Sequence, residues 1–185
     1  MQQNFNALFP DFTDQSRLWM YLSDRPFSND EVSSITQELN KFMLSWSAHN
    51  KKLKSSGAIL FNQMLLVVVD EDFEHASGCS IDSSVRFVKE MGVKYKVDFF
   101  NRMFVLVFDQ NSLSRKPYSS AEKDSFINPT LTQLGELRDD KTRKKYGGNW
   151  MEKMKRGLTN KKKTIKKIKR EKKIKKVDDK ISDIN

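Results

Sequence analysis

Three short runs of this sequence are apolar at nearly every position, and they constrain the fold more than any other feature. The runs span residues 18–22, 64–69 and 103–108. Each run is too short to cross a bilayer and is rich in β-branched, aromatic or aliphatic side chains, which is typical of strands. Because these strands do not alternate apolar and polar residues, both of their faces should be buried. The sequence therefore predicts a sheet with a covering layer on each side.

Two other segments have the periodicity of amphipathic helices. In the first, Ser28 and Glu31 have the spacing of a capping box, and an apolar stripe at intervals of three and four follows them. The stripe consists of Val32, Ile35, Leu39, Phe42 and Trp46. The second stripe consists of Ile81, Val85, Val88 and Met91. We expect each helix to bury its stripe against the sheet.

The predicted order along the chain is strand, helix, two strands, helix, strand. The two middle strands, 58–61 and 64–69, are separated by Asn62 and Gln63, a spacing that favours a tight hairpin. This βαββαβ order is that of a ferredoxin-like α+β sandwich, in which both helices cover one face of a four-stranded sheet. The other face needs a cover. The candidates are residues 118–150, with a predicted helix from Ser120, or a second copy of the chain.

Charge divides the chain into a body and a tail. Residues 1–150 carry nineteen basic and nineteen acidic side chains, whereas residues 151–185 carry fifteen basic and five acidic ones. A body of about 150 residues is large enough to bury one core, so we predict one compact domain, 1–150, and a basic tail, 151–185. This charge pattern does not decide whether the tail is mobile or helical.

Cysteine and histidine are scarce. The single cysteine, Cys79, excludes an internal disulfide, and with His49 and His75 it is too few for a structural zinc site. We therefore expect no metal and no cofactor. The N-terminal residues lack the features of a secretory leader and no run is long enough to span a membrane, which favours a reducing cytoplasm.

The best candidate for chemistry is the segment that enters the second helix. Ser77, Gly78, Cys79 and Ser80 would place a thiol and two hydroxyls beside free backbone amides, an arrangement that favours anions and a thiolate. His75 or His49 could serve as the base for a Cys79 nucleophile. The alternative is structural: a serine caps the helix, Gly78 permits the turn, and Cys79 packs as a small apolar group.

Arginines flank the first predicted strand. Arg17 and Arg25 could supply positive charge to an anion pocket, although arginines at strand ends are more often solvated or paired at the surface.

Several motifs resemble those of a family of short, uncharacterised bacterial proteins that are often automatically labelled "ABC transporter ATPase". The motifs are Arg17-x-Trp19-x-Tyr21, Asp24-Arg25, Trp46-x-x-His49, the run SGCSIDSS at 77–84, and Asp98-Phe-Phe. The resemblance covers residues 8–110 well and 120–150 loosely. The ATPase label implies a P-loop, G-x-x-x-x-G-K-[ST], to cradle phosphates. The nearest run, 157–164, has Lys162 in place of the second glycine, so P-loop hydrolysis of ATP is excluded.

Beyond residue 150 the resemblance ends and the lysine-rich tail begins. Eleven of the sixteen residues at 161–176 are basic, and Glu171 is the single acid. The basic residues are Lys161, Lys162, Lys163, Lys166, Lys167, Lys169, Arg170, Lys172, Lys173, Lys175 and Lys176. Such a run favours nonspecific binding of nucleic acid or the ribosome through counterion release. Residues 161–185 hold no aromatic side chain, which argues against base stacking. The alternatives are a solvated tail, or contact with lipid or protein.

Three hypotheses for function follow. The first is a cytoplasmic binding protein whose body carries specificity and whose tail holds it near RNA or DNA. The second is a thiol-dependent enzyme that acts on a small anionic or acyl substrate at Cys79. The third is an adaptor that dimerises through an apolar sheet face.

Overall fold

The computed structural model describes residues 4–109, 112–118, 121, 126–127 and 130–144. The chain divides into two units, Met1–Lys145 and Tyr146–Asn185. All described residues belong to the first unit. The tail predicted at 151–185 and most of the helix predicted from Ser120 lie outside the described residues.

The chain has an α+β fold, as the sequence predicts. A short 3-10 helix, Phe5–Ala7, is followed by β1 (Arg17–Leu22), α1 (Asn29–Ser45), β2 (Ser47–Ala48), β3 (Lys51–Lys52), β4 (Ser55–Leu60), β5 (Met64–Val69), α2 (Gly78–Tyr95), β6 (Phe104–Asp109), β7 (Ser112–Pro117), α3 (Leu134–Arg138) and α4 (Asp140–Lys144). No helix in the described part of the chain has both the length and the apolar character needed to cross a membrane.

The main sheet has three antiparallel strands in the order β1-β5-β4. Every residue of the central strand β5 is buried, which confirms the prediction that this run is covered on both faces. The β4–β5 hairpin is also confirmed, but its turn differs in detail. Phe61 and Asn62 have positive φ values of 54° and 52°, rather than Asn62 and Gln63. The Gln63 side chain is buried and donates to the carbonyl of Ser23 at 3.1 Å, which ties the turn to the end of β1.

The four-stranded ferredoxin-like order is not confirmed, because the last predicted strand lies elsewhere. β6 pairs with β7 in a separate two-stranded sheet. The free edge of β1, where a fourth strand would pair, is partly occupied by a later segment: the amide of Leu18 donates to the carbonyl of Thr132 at 2.8 Å. The strand β7 was not predicted, because its sequence is polar and ends in a proline.

The helix α1 begins as predicted. The Ser28 hydroxyl accepts from the amide of Glu31, and the Glu31 carboxylate accepts from the amide of Ser28. The predicted stripe faces the sheet, with Ile35, Leu39 and Trp46 buried. In α2 the prediction is confirmed for Val88 and Met91, which are buried, whereas in the first half of the helix Ser80 and Ser84 are buried in place of Ile81 and Val85, which are half-buried. Small hydroxyl side chains fit these positions because each donates to a nearby backbone carbonyl, Ser80 to that of the cap residue Ser77 and Ser84 to that of Ile81.

The second face of the sheet is covered by the chain itself. A cluster of buried apolar side chains on that side joins residues from β1, β5 and β6 to both ends of the unit. Its members include Phe5, Leu18, Leu66, Leu106, Ile127, Leu131 and Leu137. The sequence left open whether residues 118–150 or a second copy would cover this face. The described residues supply an internal cover, so the apolar face that suggested a dimer is not free.

Candidate functional site

The candidate site is a groove of about 400 Å³ where the C-terminal end of α1 meets the N-terminal end of α2. We call it the cysteine groove. Its lining residues are Phe42, Ser45, Trp46, Ser47, His49, Ser77, Cys79, Ser80 and Ser83. It therefore joins two candidates that lie thirty residues apart in the sequence, Cys79 and His49.

Cys79 lies in the first turn of α2 and is exposed. The alternative that it packs as a small apolar group is wrong, because its side chain is exposed. Gly78 is also exposed, has no positive φ, and would have open space around an added Cβ atom. The turn therefore does not require glycine here. What glycine provides is an uncovered backbone beside the thiol.

The serines around the thiol are engaged in local hydrogen bonds. Ser77 caps α2, and its hydroxyl accepts from the amide of Ser80 at 3.2 Å. The hydroxyl of Ser80 donates to the carbonyl of Ser77 at 2.8 Å, and that of Ser83 donates to the carbonyl of Ser80 at 2.7 Å. The hydroxyl groups of Ser80 and Ser83 have thus donated their protons, but their oxygens remain acceptors. The capping role that the sequence offered as an alternative is present for Ser77.

His49 reaches the groove through a small hairpin that the sequence did not predict. It follows β2, and with Asn50 it forms the turn to β3, where both residues have positive φ. Histidine and asparagine are both among the non-glycine residues that adopt positive φ most often, so this pair suits the turn. The His-Asn pair between two short polar segments was the sequence signal for this turn. His75 is exposed and does not line the groove.

Aromatic side chains fix the floor of the cysteine groove. Trp46 is buried, and its indole Nε1 donates to the carbonyl of Ser80 at 2.8 Å, which joins the end of α1 to the start of α2. Phe42 stacks on Phe87 of α2 with ring centroids 4.5 Å apart. Trp19 of β1 contacts Trp46 edge to face, with ring centroids 6.1 Å apart. These contacts hold the two helix ends in one arrangement and thereby set the distance between the groove walls.

The two candidate arginines lie outside the cysteine groove and have protein partners. Arg17 forms an ion pair with Glu71 at 3.2 Å, and its guanidinium lies over the ring of Trp19. Arg25 donates to both carboxylate oxygens of Glu31, at 2.9 and 2.6 Å, and to the carbonyl of Tyr95 at 2.7 Å. These contacts direct both guanidinium groups toward the protein's own acceptors.

Arg25 belongs to a charged cluster that also contains Glu31, Glu38, Lys94 and Tyr95. Hydrogen bonds from Arg25 lower the pKa of Glu31 to about 2. Two turns further along α1, a hydrogen bond from Lys94 lowers the pKa of Glu38. Burial and a hydrogen bond to Glu38 raise the pKa of Tyr95 to about 12. The cluster thus fixes the charges that join α1 to the C-terminal end of α2, far along both helices from Cys79.

Chemically, the cysteine groove offers a thiol, an imidazole and serine oxygens on an open surface. Among the residues that the structure describes, no group of three or more histidine, cysteine or acidic side chains is arranged to hold a metal ion. The basic residues at 161–176 lie outside the described part of the chain.

Comparison of the chain with protein-family models, with curated proteins and with solved structures finds no match.

Proposed function

We propose that the chain is a binding protein in which a neutral α+β body carries specificity and a lysine-rich tail attracts polyanions such as RNA, DNA or the ribosome. The observation that carries the proposal is the placement of charge: the body is neutral, and residues 151–185 have a threefold excess of basic side chains. Each lysine near a phosphate releases condensed counterions, so affinity requires charge density rather than a particular sequence. Lysine suits this role, because it acts as a point charge without a preferred base contact.

Three further expectations accompany this proposal. We propose that it is a variant of the ferredoxin-like sandwich, because its three-stranded order β1-β5-β4 matches three neighbouring strands of that fold. We also propose membership of the bacterial family that residues 77–84 resemble, and a cytoplasmic location, which suits a chain with one cysteine.

The test replaces tail charges in the full chain. One variant changes all eleven basic residues at 161–176 to glutamine, and a matched control changes the ten lysines to arginine. We expect the glutamine variant to lose binding to generic RNA and duplex DNA, measured by fluorescence anisotropy, and the arginine variant to retain it. Equal binding by the wild type and the glutamine variant would refute the role of the tail.

The second candidate is a thiol-dependent enzyme acting on a small anionic or acyl substrate. It is favoured by one observation, that Cys79 and His49 line the same groove. In this mechanism His49 accepts the thiol proton, Cys79 Sγ attacks the acyl carbon, and the protonated imidazole returns the proton to the leaving group. The amides of Gly78 and Cys79, which have no acceptor within the helix, would bind the developing oxyanion.

Alkylation kinetics separate the two candidates. If the thiol mechanism operates, iodoacetamide should modify Cys79 at neutral pH at least about tenfold faster in the wild type than in the His49→Gln variant. His75→Gln, which changes an exposed histidine outside the groove, is the control and should match the wild type. Equal rates in all three proteins would eliminate the enzyme and leave the binding protein.

A further inference from the structure

We draw no further inference here: the strongest candidate, the groove of about 810 Å³ that Arg138 and Arg143 line between the N-terminal segment and the helices α3 and α4, carries nothing, because each arginine already forms an ion pair with an aspartate of the same groove and donates to backbone carbonyls, and nothing in the described part of the structure shows what would occupy the groove.

Discussion

At the scale of single residues, the joint between α1 and α2 depends on a few directed polar contacts. Arg25 connects the loop after β1 to the first turn of α1 through Glu31, and to the end of α2 through the carbonyl of Tyr95. At the opposite end of the helix pair, the indole of Trp46 donates a hydrogen bond to the carbonyl of Ser80. These two contacts hold the helix pair at both ends, which keeps the walls of the cysteine groove in place.

The charge of Glu31 makes one prediction at this scale. Its pKa in the folded chain, about 2, lies below its ordinary value of 4.5, so it stabilises the fold fully above pH 4.5 and loses that effect as the pH falls toward 2. We expect the free energy of unfolding in urea to fall less between about pH 6 and pH 3 in Glu31→Gln than in the wild type. Glu90→Gln removes an exposed carboxylate from α2 and should keep the wild-type pH dependence. Identical pH dependence in all three proteins would contradict the assignment.

At the scale of elements, close packing of α1 on β4 depends on a glycine. A Cβ atom at Gly57 would lie 2.6 Å from Cδ2 of Leu39, a side chain that is wholly buried in the core between the helices and the sheet. The helix can approach the strand this closely only because residue 57 has no side chain.

A pair of glycine substitutions tests this contact. Gly57→Ala should lower the free energy of unfolding by about 1–3 kcal/mol, because the new methyl group would overlap the buried Leu39 side chain and force it to shift. Gly78→Ala is the control: its Cβ atom meets nothing within 4 Å, and it should leave stability unchanged or raise it by up to about 1 kcal/mol. Chemical denaturation measures both. Equal effects at the two positions would show that the α1–β4 contact is looser than described.

Local patterns were sufficient to predict the elements that local interactions determine. The capping box of α1, the strand β1 and the buried β5 follow from residue types at fixed spacing. The sequence could not show that β6 leaves the main sheet, because that depends on competition for the edge of β1. Nor could it show that Cys79 and His49 share a groove, since the bond from Trp46 to Ser80 and the small β2–β3 hairpin bring them together.

At the scale of the whole molecule, the two ends of the described unit are bonded to each other and cover the second face of the main sheet. Arg138 of α3 donates to the carbonyls of Leu8, Phe9 and Phe12, and pairs with Asp14 at 2.6 Å. Its side chain is 16% exposed, so these bonds are largely shielded from water. They hold the N-terminal segment against α3 and α4, next to the cluster of buried apolar side chains that covers the second face of the main sheet. A body that covers its own sheet has no need of a dimer to do so, which leaves its exposed grooves and the tail as the surfaces available to partners.

The salt dependence of RNA binding by the full chain tests the central claim most directly. With about half to nine-tenths of the eleven basic residues at 161–176 neutralising phosphates, a plot of log K against log salt for duplex nucleic acid should have a slope of about −5 to −9 between roughly 50 and 200 mM salt. The slope should be the same for unrelated sequences, because the tail reads charge alone. A slope near zero, or no binding at the lowest salt concentration, would contradict the account and make the cysteine groove the primary site to investigate.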